Sequence, residues 1–290
     1  MNESIEEMIP DTIVSEDGAV IQHGPLNDRV YLMKMGRDEA SARRALKRVE
    51  SLAAENHYSK IFAKVPASSA RVFLEDGYAI EALVPGFFQG TEDGYFLTRY
   101  LDPNRRQVSD GAVIRDVLEA SRSRGAECRP CILPAGYTLR PAEESDVPLL
   151  AALFGYVFET YPFPIHDPDY LRKSMQGNIR YYCALRERRI IAASSAEMDR
   201  EAGSVELTDF ATHPSYRGMG LCSALQERME SDMREKGLQT AYTIARASLY
   251  PINITFARAG YRYGGTLFNN TQICGSFESM NVWHKPLVKN

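Results

Sequence analysis

The chain has 290 residues, of which 44% are hydrophobic and 25% charged, the balance of a globular protein with a sizeable buried core. Its formal net charge of −4, with Lys and Arg interleaved among Asp and Glu, gives no electrostatic reason to bind nucleic acid. The acidic start Met1-Asn2-Glu3-Ser4-Ile5-Glu6-Glu7 is unlike a secretory leader, no apolar run approaches the roughly 18 residues of a membrane span, and five cysteines are an odd number for a disulfide framework, so a cytoplasmic protein with no membrane partner is expected.

Residues 1–26 carry no long period, although Ala19-Val20-Ile21 reads as a short strand before the His23-Gly24-Pro25 turn. Val30 to Met35 is a strand closed by Gly36. Ala42, Ala45, Leu46, Val49, Leu52 and Ala53 recur at spacings of three and four, which predicts an amphipathic helix over 38–56. A buried strand from Ile61 to Val65, a helix from Ser68 to Glu75 and a strand from Tyr95 to Tyr100 follow, an α/β alternation. Residues 1–101 are one expected domain and 102–136 a charged, Pro-containing connector with a helix from Val113 to Arg122. Cys128 and Cys131 have metal-knuckle spacing, but no second Cys or His pair stands nearby, so they are expected to be linker cysteines and no metal is expected.

A second domain, 137–290, opens with the strand Tyr137 to Ala142 and a helix capped by Ser145 or Asp146, with Pro148 in its first turn. The aromatic turn Tyr161-Pro162-Phe163-Pro164-Ile165-His166-Asp167-Pro168 is neither regular helix nor strand, and serves as a packed plug or a ligand wall. A short helix from Asp169 to Gln176 precedes three strands, Ile179 to Leu185, Ile190 to Glu197 and Ser204 to Ala211. The third runs into Thr212-His213-Pro214-Ser215-Tyr216-Arg217-Gly218-Met219-Gly220-Leu221-Cys222, where a Gly-rich turn opens a helix from Leu221 to Glu235 and so makes an anion cradle. A strand from Ala241 to Ala245, a helix starting at Pro251 or Asn253, and strands near Gly264–Cys274 and Phe277–Lys285 complete the chain.

The chain also repeats itself. Glu50-Ser51 and Glu230-Ser231 lie 180 residues apart in corresponding helices, each followed by a strand and a short helix that ends at Gly77-Tyr78 or Gly260-Tyr261. The first copy has Met35-Gly36-Arg37-Asp38-Glu39 where the second has its Gly-rich turn, so ligand binding is expected in the second domain alone.

The element order of 137–290 and the run Arg217-Gly218-Met219-Gly220-Leu221-Cys222 resemble the GCN5-related N-acetyltransferases, the GNAT family; Arg217 and Gly220 fit its phosphate pattern and Cys222 departs at the last position. Asn253 to Tyr261 is similar to the family's helix beside the pantetheine arm. The resemblance implies an α/β fold with a mixed, mostly antiparallel sheet, preceded here by a shortened, degenerate copy. It also implies acetyl transfer from acetyl-CoA to an amine without metal. A lysine-like ammonium has a pKa of about 10.4, so stripping its proton at pH 7 costs about 4–5 kcal/mol and calls for a carboxylate. Glu206 is expected as that base and Asp209 as a substrate or structural carboxylate, re-aimed by a bulge that the resemblance implies. On the same grounds Phe210, Ala211 and Thr212 would hold pantetheine, Arg217, Gly218, Met219, Gly220, Leu221 and Cys222 the pyrophosphate, and Asn253 the arm. The family's frequent acid, a tyrosine, is replaced by Phe256, so that either coenzyme A leaves as the thiolate or Tyr250 or Tyr261 stands in.

Within the family, Phe158 to Pro164, Glu206 to Thr212, Arg217 to Leu221 and Gln22 to Tyr31 look like the β-lysine N(6)-acetyltransferases. That resemblance makes Tyr161 and Phe163 walls of an acceptor pocket and Asp167 a partner for an ammonium. Another diamine, a polyamine or a protein amine as acceptor, and a non-catalytic acyl-CoA-binding module, stay open, as does monomer against homodimer.

Overall fold

The computed structural model describes residues 11–125, 133, 135–273 and 275–288; Cys128 and Cys131 lie outside them. The first half contains β1 (Thr12–Glu16), β2 (Ala19–Gly24), β3 (Arg29–Lys34), α1 (Glu39–Glu55), β4 (Lys60–Pro66), α2 (Ala67–Leu74), β5 (Ala79–Phe88) and β6 (Glu92–Tyr100). Helix α3 (Gly111–Gly125) leads to β7 (Tyr137–Pro141), α4 (Val147–Val157), α5 (Pro168–Gln176), β8 (Ile179–Arg186), β9 (Arg189–Asp199) and β10 (Ser204–Thr212). Then come α6 (Leu221–Glu235), β11 (Thr240–Arg246), α7 (Tyr250–Arg258), β12 (Arg262–Ile273) and β13 (Ser276–Pro286).

These strands form one sheet in the order β1-β2-β3-β4-β6-β5-β12-β13-β11-β10-β9-β8-β7. Within it β3-β4-β6-β5 and β10-β11-β13-β12 share one plan: a parallel first pair joined through a helix, then antiparallel neighbours. The copies meet where β5 pairs antiparallel with β12 at Ala82↔Gly265. Equivalent strands pairing with each other make that seam an approximate two-fold axis.

Alternation along the strands decides what faces the helices. Val30, Leu32, Ile61, Ala63 and Val65 pack under α1 and α2, with Ala42, Ala45, Val49 and Leu52 on the helix side. Asp38 starts α1 by accepting a hydrogen bond from the Ser41 amide at 2.9 Å. In the second half Val205 and Leu207 face α6, whose Leu225, Met229 and Met233 cover them. The faces left without these helices turn toward each other, and Tyr31, Phe62, Phe87, Phe96, Tyr242 and Met280 form a third core between the halves. Each such aromatic, once buried, stabilises the closed sheet by about 1.5–3 kcal/mol. Polar contacts cross the same gap: Lys34 pairs with Asp199 at 2.9 Å, and the Gln89 amide donates to the Ala202 carbonyl at 2.6 Å.

Two strands are unmarked in the sequence. Pro85-Gly86 disguises β5, which tolerates them because its register with β6 slips between Val84 and Phe88. Strand β1 is an exposed edge with little apolar signal.

The seam leaves no room for a side chain. Gly265 has φ +148°, and a Cβ there would lie 2.0 Å from the Glu81 carbonyl oxygen and 2.6 Å from Ala82 Cα. Gly265→Ala is expected to cost about 3 kcal/mol or more, seen as a lowered denaturant midpoint. Gly275→Ala, where nothing lies within 4 Å, should cost only about 1 kcal/mol.

Candidate active site

Strand β10 carries the chemistry because its register breaks. It pairs with β9 as far as Thr208↔Ser195 and resumes at Ala211↔Ala193. Asp209 in the gap has φ +54°, a left-handed conformation that turns its carboxylate to the side already faced by Glu206 and Thr208. The expected bulge is therefore present. It places Asp209 where Tyr161 donates to Oδ1 at 2.6 Å and Ser195 to Oδ2 at 2.6 Å.

Glu206 has one hydroxyl partner, Tyr242, where Asp209 has two. Directly opposite it on β9 stands Glu197, a third carboxylate on the same face. All three line a cavity of about 140 Å³, together with Tyr161 and Phe163, as expected, and with Gln22, Arg29, Tyr31, Phe62 and Lys64 from the first half. The expectation that the ligand meets the second domain alone is thus corrected: the first half lacks a phosphate turn but supplies one wall of the pocket.

Burial raises the Glu206 carboxyl above the ordinary range; the Lys64 ammonium and a hydrogen bond from Tyr242 oppose the rise, and Asp209 adds to it. Glu197 is raised further, by burial and then by Glu206 and Asp209, against Lys64. Asp209 is raised by burial, against the two hydroxyls that hold it. Lys64 donates to the Tyr242 hydroxyl at 3.1 Å. Although burial acts to lower its pKa, the fields of Tyr31, Glu206 and Asp199 outweigh that and keep it charged. The cavity thus gathers three carboxyl groups around the Lys64 ammonium.

A second feature opens beside it. The parallel pairing of β10 with β11 covers only Ser204–Glu206, while β11 continues to Arg246 against β13. From Leu207 to Thr212 the two strands diverge, leaving a wedge with backbone amides on its β10 edge. At the wedge's end Gly218 and Gly220 take φ +79° and +75°, and α6 begins at Gly220 with no side-chain cap. Arg217 is exposed on this turn, and Cys222 is half-buried in the first turn of α6. A diphosphate fits a helix start built this way, and an extended amide-bearing arm fits the wedge.

The acetyltransferase (GNAT) family model matches residues 149–261. The β-lysine N(6)-acetyltransferase of Methanococcus maripaludis is 38% identical over 94% of this chain and 98% of its own length. N-acetyltransferase YodP of Bacillus subtilis is 34% identical over 93% and 96%, and the β-lysine N(6)-acetyltransferase of Methanosarcina mazei 30% over 82% and 95%. The chain belongs to the GNAT family. It is an acetyl-CoA-dependent N-acetyltransferase, and the wedge and Gly-rich turn fit that co-substrate. Among the described residues no cluster of ligating side chains could hold a metal ion, and no helix is long and apolar enough to cross a membrane.

Three site expectations of this acetyltransferase change. The Asn253 side chain donates to the Arg246 and Leu249 carbonyls at 2.9 and 2.7 Å and accepts from Asn281 and Trp283, both at 2.9 Å. An amide has two donors and one two-lone-pair oxygen, so Asn253 is saturated; it ties α7 to β11 and β13 and has nothing left for the pantetheine arm. Asp167 is exposed and caps α5 through the Asp169 amide at 2.9 Å, outside the cavity lining. Tyr261 lies in the α6 core behind Phe256, ring to ring at 4.9 Å, which removes it as a stand-in acid; Tyr250 stays 42% exposed at the start of α7.

Glu197 was legible in principle: a hairpin turning at 200–203 puts Asp199 opposite Ser204 and hence Glu197 opposite Glu206. Lys64 and Tyr242 had no local signal, and Arg29 stood only within the Gln22–Tyr31 run, with no role attached to it. Because folding raises the Glu197 pKa, its proton stabilises the fold fully below the unfolded value, and that contribution is lost as pH rises through the folded value. Glu197→Gln cannot lose it. Its unfolding temperature should therefore exceed that of the parent by a margin that widens from about pH 5 to about pH 8; a constant or shrinking margin would contradict the placement of Glu197 in the cluster.

Proposed function

We propose that this enzyme acetylates the terminal N(6) amine of β-lysine, 3,6-diaminohexanoate, to give Nε-acetyl-β-lysine, with Glu206 as the base. The 38% identical relative supports the acceptor. The observation that carries the chemistry is the half-buried Glu206, hydrogen-bonded to Tyr242, at the point where β10 and β11 part. An ammonium that enters the cavity meets the carboxyl groups of Glu206, Asp209 and Glu197, and Glu206 takes its proton. The freed amine attacks the acetyl carbonyl of acetyl-CoA, the C–S bond breaks, and the surplus proton on nitrogen passes to the departing thiolate, giving the amide and the free thiol of coenzyme A.

Each neighbour then has a task. Asp209, held by Tyr161 and Ser195, fixes the Tyr-Pro-Phe wall and keeps Glu206 basic through its charge. Tyr242 relays between Lys64 and Glu206, so the conjugate acid has a fixed set of partners. The backbone of Phe210, Ala211 and Thr212 lies along the wedge for the pantetheine arm, and Arg217 to Cys222 take the pyrophosphate. Phe256 is fully buried, edge-on to Phe210 at 5.5 Å, and shapes the wedge without donating a proton. The pocket closes between two sheet faces, and this enclosure favours a small amine over a protein tail.

Thiol release from acetyl-CoA in the presence of β-lysine, lysine, spermidine or a lysine peptide tests the acceptor. β-Lysine should give the highest kcat/KM, and preference for spermidine or the peptide would refute the assignment. Glu206→Gln should lower kcat by about 10²–10⁴ with the Kd for acetyl-CoA unchanged. In the parent, kcat/KM should climb with pH through the raised pKa of Glu206 and level off above it, a limb that the variant lacks. Retention of that limb would move the base elsewhere.

A further inference from the structure

The sequence singles out Gln22 to Tyr31, yet acetyl transfer as described uses none of it. In the structure Gln22, Arg29 and Tyr31 all line the cavity from the first half. Cations on the lining are Arg29, Lys34 and Lys64. Lys34 is paired with Asp199 at 2.9 Å, and Lys64 is engaged with Tyr242 in the field of Glu206. Arg29 differs: among the described residues no carboxylate lies within ion-pair distance of it. Asp11, the carboxylate whose field reaches it, is engaged by the Asn27 side chain at 2.6 Å and its amide at 3.3 Å.

A buried guanidinium without a counterion is costly unless something anionic arrives. Arg29 is 4% exposed, and burial brings its pKa down to about 10, so it is still charged at neutral pH. It donates to the Asn270 carbonyl, to Thr271 Oγ1 at 3.2 Å and, at 3.4 Å, to Gln22 Oε1. The rings of Tyr31 and Phe62 lie 5.4 and 5.8 Å from its Cζ and hold the planar group in place. Two buried donors here have no partner, Arg29 Nε and Gln22 Nε2. The contact from Arg29 fixes the Gln22 amide with its oxygen toward the guanidinium. Buried donors left without acceptors in a ligand cavity mark the place of a missing acceptor.

We propose that Arg29 and Gln22 bind the carboxylate of the amino-acid acceptor, making the degenerate first half the specificity element of the enzyme. The proposal rests on the acceptor being a diamino acid. The carboxylate takes the guanidinium and the Gln22 amide, displacing their 3.4 Å mutual contact, the longest that Arg29 makes. The buried Asn270 Oδ1, an acceptor without a partner on the same lining, is placed for the adjacent ammonium. The chain of the substrate then runs past Tyr31, Phe62, Ile273 and Met280 toward the carboxylates that receive the reacting amine. Opposite charges at the two ends of the cavity impose one orientation, with the distal amine at Glu206.

The test compares β-lysine with β-lysinamide, whose carboxylate is neutralised. The parent should prefer the acid. Arg29→Met should raise KM for β-lysine about 100-fold and KM for the amide less than about 3-fold, leaving the Kd for acetyl-CoA unchanged. Arg29→Lys keeps the charge without the fork and should fall between. If Arg29→Met does not fold, Gln22→Leu should reduce the acid-to-amide preference about 10-fold with Arg29 in place. Equal losses for acid and amide would assign Arg29 a merely structural part and overturn the proposal, as would an unaltered preference. If the parent ignores β-lysine but acetylates another diamino acid, only the assigned substrate fails, and the acid and amide of that compound decide the role of Arg29. Turnover confined to amines without a carboxylate overturns both.

Discussion

Everything in this fold hangs on the junction of β5 with β12. Two sheets of the same plan, the second covered on part of its other face by α4 and α5, would separately expose apolar strand faces to water. Edge pairing at Ala82 and Gly265 joins them into one sheet whose bare faces turn inward. The crowding around Gly265, with the Glu81 carbonyl where a Cβ would stand, shows how closely the strands approach. The acceptor cavity is the part of that inward face that side chains do not fill.

The duplicated halves have diverged along physical lines. In the second, β10 parts from β11 after Glu206 and delivers an uncapped, Gly-started helix, which suits a long anionic co-substrate. In the first, the same helix start is occupied by Asp38, which accepts from the Ser41 amide, and is followed by Glu39. An anion is repelled there. What the first half retains is the opposite face of its strands, where Gln22, Arg29, Tyr31, Phe62 and Lys64 look across to the catalytic strand.

The electrostatics follow from enclosure. Three carboxylates with Lys64 among them would be unremarkable in water. Between two sheets, burial raises all three carboxyl pKa values, and mutual repulsion adds to the rise of Glu197 and Glu206. Hydroxyls from Tyr161 and Ser195 hold Asp209 in place, and the ammonium of Lys64 limits the rise of Glu206. Because burial raises these carboxyl pKa values, their protons stabilise the fold at low pH and that contribution is lost as pH rises.

Much of this was written locally in the chain. Helix periods, the Gly-rich turn and the strand preceding it are set by near neighbours, so α1, α6 and the turn between β10 and α6 could be read from residues a few positions apart, whereas Tyr161 and Phe163 were singled out only through the family resemblance. The sequence resemblance also carried the bulge, whose φ at Asp209 no periodicity reveals. Tertiary structure alone decided the rest. Asn253 is consumed by Asn281 and Trp283, 28 and 30 residues away, so its saturation is invisible to a motif. Asp167 sits in a promising loop but is spent on a helix cap. Arg29 meets Asn270 and Thr271 across more than 240 residues, and only because the sheet curls at the β5–β12 junction. A sequence determines its hydrogen bonds and periods at short range; which faces end up enclosing a substrate is settled when distant strands pair.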